Sequence, residues 1–408
     1  MFSPLFPTFT VIFCLFTTLA IQAAPFTPAN DSDIVERLPL SATDPSARRL
    51  QSLRKQLEAK PDDVALRLEI ARRYFDLSMA QGDPRYVGYA SAAIAPLGKN
   101  AASAAATAGN ADYWQLHGML QQYSHDFAGA LASLDKASLA DPRSPVPMAW
   151  RAAIHMVQAN YPQAQAECDR LKPLVSPLFA AGCTQYVRAS TGELQSAFDT
   201  LNQAVKSASD APAELVLWEL TRLAEMAIRL KRFDDAETYF QRALKLGVTD
   251  QFLLGAYADF LLQQNKPEAV IQLLADWERS DILLLRLALA GKAAGDKRDT
   301  KKAMGWANAL RDRFVDAAKR GDRLHEQEAA RFELDIENNP KKALALAVNN
   351  YKLQKEPRDA EVLLRTALAA NDAAAAAPAL AWLKQSRYED AHLADLAASL
   401  SKSAGVKQ

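Results

Sequence analysis

The chain has 408 residues, enough for two or three ordinary domains or for one elongated array of repeats. Hydrophobic residues make up 49% and glycine is scarce at 15 residues, which favours helices over a turn-rich β architecture. Lys plus Arg (48) balances Asp plus Glu (48), so no net field draws the chain to nucleic acid or an anionic membrane, and five His leave little material for a His-rich metal site.

The first charged side chain comes after Asn30, and Thr10–Ile21 forms an apolar core followed by Ala23, Ala24 and Pro25. This pattern predicts a secretory signal over residues 1–24, cut after Ala23 or Ala24. The stretch before the core lacks Lys and Arg, so an uncleaved membrane anchor is the alternative. Cys14 follows Phe13 rather than a small residue, which does not fit a lipoprotein acceptor. Residues 25–49 read as a linker. Export implies a periplasmic or secreted location, with no membrane contact once the signal is gone.

From about Leu50 the sequence alternates helical apolar patterns with short polar breaks. Such breaks occur at 60–63, 141–144, 265–267 and 338–340, too close together for independent domains. Self-similarity therefore comes first. One unit begins at Ala111 and places Trp114, Gly118, Ala130, Leu134, Ala137 and Pro142 at positions 4, 8, 20, 24, 27 and 32. Leu220, Ala224, Phe233, Ala236, Phe240 and Ala243 form a second set at positions 4, 8, 17, 20, 24 and 27. Met148, Ala152, Tyr161, Ala164, Cys168 and Leu171 continue the first register, and a looser unit carries Gly192, Leu194, Ala197, Leu201 and Ala204.

This pattern resembles the tetratricopeptide repeat, a 34-residue pair of antiparallel helices. Small residues at positions 8 and 20 let helix axes approach, large ones at 4 and 24 fill the gaps, and Pro at 32 stops the second helix. The resemblance implies an all-α, right-handed superhelical solenoid, with repeats over 50–322 and degenerate repeats with a cap over 323–408.

The resemblance also implies a role for particular residues. Cys168 lies on the second helix of one unit and Cys183 on the first helix of the next. Stacked repeats pack those helices together, so a Cys168–Cys183 disulfide is expected, worth about 3 kcal/mol for its loop. Two buried thiols that never bond are the alternative. The first helices line a concave face that in this family receives a peptide or partner helix. Its contact positions are Asp112, Gln115, Met119, Gln122 and Tyr123 in the unit at Ala111. They are Trp218, Thr221, Glu225, Ile228 and Arg229 in the second, and Phe252, Gly255, Asp259, Leu262 and Gln263 in the next. Each aromatic among them could instead pack within the array. A cluster of Lys, Arg and Asn for a peptide carboxylate is missing in register, since Arg72 stands alone.

Catalytic constellations are sparse. His325–Glu326 lacks a second His four residues on, His117 sits at a core position, and His125, His155 and His392 are isolated. The sequence shows no Gly-x-Ser-x-Gly elbow, phosphate-cradling loop or paired-Cys metal spacing. The reading is therefore an exported scaffold or adaptor, without cofactor and not an enzyme, that recruits a protein partner to an envelope complex. A regulatory or substrate-presenting subunit of an enzyme or transport complex is the alternative.

Overall fold

The computed structural model describes residues 45–98, 107–295, 300–319 and 325–405. The expected signal, and the linker up to residue 44, lie outside the described residues. The chain divides into a short first unit, residues 1–51, and a second, residues 52–408. Helix α1 (Pro45–Ala59) begins in the first; the repeats occupy the second.

Among the described residues there are twenty α-helices and no strand. They pair as α2 (Val64–Gln81) with α3 (Arg85–Ile94), α4 (Ala111–Tyr123) with α5 (Phe127–Ala140), and α6 (Val146–Val157) with α7 (Tyr161–Leu171). Next come α8 (Pro177–Ala189) with α9 (Leu194–Ser207), α10 (Ala213–Arg229) with α11 (Phe233–Leu244), and α12 (Gln251–Gln263) with α13 (Pro267–Leu273). The last pairs are α14 (Asp281–Ala294) with α15 (Thr300–Lys319), α16 (Glu326–Asp335) with α17 (Pro340–Leu353), and α18 (Pro357–Ala369) with α19 (Ala377–Ser386). Helix α20 (Ala391–Gly405) follows. The first helix of each pair also touches the first helix of the next, from α2 through α20, so these helices line one continuous inner surface. The architecture is an all-α, TPR-like solenoid.

Local chemistry sets the helix ends. Asp63, Asn110, Asp126, Ser176, Asp250 and Ser280 each accept a hydrogen bond from an amide in the first turn of the helix they precede. Pro177, Pro267, Pro340 and Pro357 begin helices, where a missing amide proton is harmless. Packing follows the small-large rhythm. Ala130, Leu134, Ala137, Ala224, Ala236, Phe240 and Ala243 are all fully buried. A Cβ on Gly118 would stand 2.8 Å from Leu134 Cγ, so only glycine lets α4 approach α5 this closely. Burying Leu134 or Phe240 contributes roughly 1.5–3 kcal/mol each.

Among the described residues the elbow inside each pair holds one residue at positive φ: Gly82, His125, Ala159, Gly192, Lys231, Asn265, Gly295, Asn338 and Asn371. Glycine and asparagine adopt this region cheaply, while Ala159 and Lys231 are strained there. Three elbows meet a distant part of the array. Gly82, in the first pair, lies against Gln251 and Ser280 at the starts of α12 and α14. In the third pair the carbonyl of Val157 accepts a 2.7 Å hydrogen bond from the amide of Lys355, just before α18. In the fourth, Gly192 faces Arg387, and the amide of Leu194 donates to Glu389 Oε2 at 2.7 Å, just before α20. Each contact joins the elbow of one pair to the loop entering the pair five or six places later. The superhelix is wound tightly enough for its turns to touch.

An apolar cluster lies on the same seam. Ala152, Tyr161, Ala164, Cys168 and Val187 pack with Tyr351, Leu363, Leu364, Trp382 and Leu393, bringing α6–α8 against the last third of the chain. Cys168 and Cys183 form a disulfide between α7 and α8, with Cα atoms 5.6 Å apart.

Gly82→Ala should lower stability by about 2 kcal/mol, because the new Cβ is strained at φ +66° and collides with the Gln251 side chain. Lys231→Gly, at an exposed elbow, should gain about 0.5–1 kcal/mol. Urea unfolding of the two variants measures both signs. Replacing Cys168 and Cys183 together by Ala should cost about 3 kcal/mol, and reductant should lower the unfolding midpoint of the parent but not of the variant.

Candidate functional site

The inner surface is built by the first helices, whose polar side chains reach from one helix to the next. On α12, Asp259 takes Arg286 of α14 at 2.5 Å and Arg331 of α16 at 3.1 Å. Burial pushes the Asp259 carboxyl up, but the two guanidinium charges outweigh it and hold it well below the usual carboxylate range. Asp335 of α16 takes Arg365 of α18 at 2.6 Å, and Glu361 of α18 faces His392 of α20 at 3.6 Å. These links form a charged ladder along the last five inner helices.

Toward the middle of the array the inner surface is covered by the chain itself. Glu225 pairs with Arg358 at the start of α18, 3.3 Å away. Arg229 donates to the carbonyls of Ala189 (2.6 Å) and Glu389 (3.0 Å), and its guanidinium lies 3.7 Å from the ring centre of Tyr388. Burial drives the hydroxyls of Tyr186 and Tyr388 above the ordinary phenol range. Glu225 and Arg229, expected on the open face of a first helix, lie beside later parts of the chain. The tight winding brings α18 and the loop before α20 onto them, so that Glu225 meets Arg358 and the Arg229 guanidinium meets two carbonyls and the Tyr388 ring. Asp259 is likewise held by its two arginines.

The remaining candidates divide differently. Met119 and Gln115 are buried at 3% and 7% exposure; Met119 belongs to the core between α2 and α4, and Gln115 turns its amide toward Arg72. Neither presents its side chain to a ligand. Gln122 and Tyr123 are half-buried on α4. Trp218 is 42% exposed with Arg222 stacked 3.8 Å over its ring, and Phe179 of α8 lies 6.3 Å away. Phe252 is 45% exposed, which leaves the two aromatics as surface groups near the starts of α10 and α12.

One part of the inner surface stays open. Between α2 and α4 a cleft of about 430 Å³ has Val64, Leu68 and Leu116 as its apolar lining and Glu69, Arg72 and Asp112 as its charged lining. Counting Ala71 as position 8, its residues Ala65, Leu68 and Arg72 take positions 2, 5 and 9, the inner positions of a first helix. Sequence reasoning missed this cleft because α2 carries few signature residues; the signal lay in the Leu68–Arg72 spacing. Among the described residues no group of three or more His, Cys, Asp or Glu is arranged to hold a metal ion, and no helix is long and apolar enough to cross a membrane. His325 sits 3.9 Å from Glu328, and His117 shares hydrogen bonds with Gln121 and Ser133.

No protein-family model matches the sequence, and no characterised protein matches it at the level of sequence. Solved structures resemble the fold. The crystal structure of yeast Tom70 is 14% identical and aligns over 89% of this chain and 85% of its own, with a TM-score of 0.40. The P58(IPK) TPR domain is 12% identical over 84% of this chain and 99% of its own, with a TM-score of 0.24. The structure of Naa15/Naa10 bound to HypK-THB gives 13% identity over 83% of this chain, 65% of the other, and a TM-score of 0.26.

The Glu361–His392 contact carries a pH dependence. By accepting from the His392 ring, the Glu361 carboxylate raises the His392 pKa above its ordinary value, against a smaller opposing effect of burial. A raised folded-state pKa means that the link is present below about pH 6.5 and is lost as pH rises through the folded value. Histidine NMR titration should place the His392 midpoint above 6.5 in the parent chain and return it toward that value in Glu361→Gln.

Proposed function

We propose that this chain is an exported protein-binding scaffold that takes a segment of a partner protein in the cleft between α2 and α4. The observation that carries this reading is the contrast along the inner surface. The middle is compensated by the chain's own α18 and α20 entry, whereas the first two repeats leave an apolar lining with charges of both signs beside it. Such a lining suits an amphipathic segment laid against Leu68 and Leu116, with Arg72 and Asp112 setting its register. Export is supported by the apolar segment at Thr10–Ile21 and by the Cys168–Cys183 bridge, which belongs to an oxidising compartment. The envelope complex is part of the same proposal.

A photoreactive residue at position 65 tests it in cells. The expected result is a discrete adduct that Leu68→Asp abolishes while the helical circular dichroism of the variant stays unchanged. The same probe at position 225 should give none, because Arg358 covers it. Equal labelling from both positions, or an adduct indifferent to Leu68→Asp, sinks the assignment.

A further inference from the structure

The interior between the fourth and fifth pairs holds an ionisable group that neither the scaffold reading nor the charged ladder uses. Glu219, in the first half of α10, is fully buried at 0% exposure. Its Oε1 has no hydrogen-bond partner. Its Oε2 stands 3.5 Å from Nη1 of Arg222, one turn on along the same helix, at the outer limit of a hydrogen bond. The carboxyl lies against α8, where a Cβ on Gly182 would collide with both of its oxygens. Glycine gives the group its room but offers it no donor, because an amide in mid-helix is bonded to the carbonyl four residues back.

A carboxylate in that place is stripped of water and faces one poorly placed cation, so the charged form is disfavoured against the neutral acid. Arg222 is also shared. Its guanidinium lies 3.8 Å from the ring centre of Trp218 and 4.7 Å from that of Tyr186, which divides it between the carboxyl and two aromatic faces. Helices α8, α9, α11 and α12 pack against α10, and among the described residues none of them brings a charge to the carboxyl. From α8 the carboxyl meets Gly182, and Arg222 meets the phenol of Tyr186. Burial accordingly lifts the Glu219 carboxyl above its ordinary value, and Arg222 offsets only part of the rise.

We infer that Glu219 is a proton-controlled latch between the fourth and fifth helix pairs. As the neutral acid it lets α10 lie against the α8 backbone; on losing its proton to water it draws Arg222 off the Trp218 ring and loosens α10 from α8. The latch reaches the surface through Trp218, which is 42% exposed beside Phe179. The direction of the response follows from linkage. With the folded-state value raised, the stability that the neutral acid permits is fully present below the ordinary glutamate value of 4.5 and is lost as pH rises through the folded value.

Glu219→Gln keeps the shape of the neutral acid and cannot ionise. Between pH 5 and 8 the unfolding constant of the parent chain, measured in urea, should rise at least about tenfold relative to that of this variant. The infrared difference between the two chains at pH 5 should contain a protonated-carboxyl band, and Arg222→Met, which removes the counter-charge, should move its titration to higher pH. Acrylamide quenching of Trp218, taken as the difference from Trp218→Phe, should increase from pH 5 to 8 in the parent and stay level in Glu219→Gln. A parallel pH course of stability in the two chains, no such band, a titration unmoved by Arg222→Met, or a Trp218 signal indifferent to pH overturns the inference.

Discussion

The arrangement depends on one geometric constraint: the elbow of a helix pair must fit against the loop that enters the pair five or six places later. A repeat array held only by neighbouring interfaces is nearly one-dimensional, and each unit can adjust without consequence for distant ones. Here Gly82 against Gln251, Val157 against Lys355 and Leu194 against Glu389 tie turns of the superhelix together. Small backbone-exposing elbows allow the approach. A side chain the size of Lys231 at position 82 or 192 would hold the turns apart.

Closing the seam changes what the inner surface offers. Residues in the middle of the array that would face a solvent-filled groove instead meet Arg358, Tyr388 and Glu389. The Glu225–Arg358 pair is partly shielded from water, so its members are worth more together than either is worth to an incoming ligand. The cleft between α2 and α4 lies away from this covered stretch; there Arg72 turns to Gln115 and Met119 of α4, beside the apolar lining of Leu68 and Leu116. The aromatic pair Trp218 and Phe179 stays at the surface because it sits near the beginnings of α10 and α8, away from the covered ends of those helices.

The repeat class was legible in the sequence because its determinants are local. Gly118, Ala130, Leu134 and Ala137 meet within one pair, and a period of about 34 residues brings the same need back. The Cys168–Cys183 bridge follows from the same neighbour logic. The seam was not legible, because its contacts join residues such as Tyr161 and Trp382, which are far apart in the chain and share no motif. The inner-surface candidates Glu225 and Arg229 were correctly placed on a first helix, yet their partners lie in the part of the chain where signature residues fade. Those residues fade there because helices α17 to α20 pack partly against α6–α8, so neighbour packing alone no longer dictates their sequence.

The disulfide and the seam are parts of one mechanical unit. The bridge joins α7 to α8, and those two helices supply Tyr161 and Val187 to the cluster on which Trp382 and Leu393 rest. Bracing α7 against α8 thus fixes the platform that the end of the chain must fit.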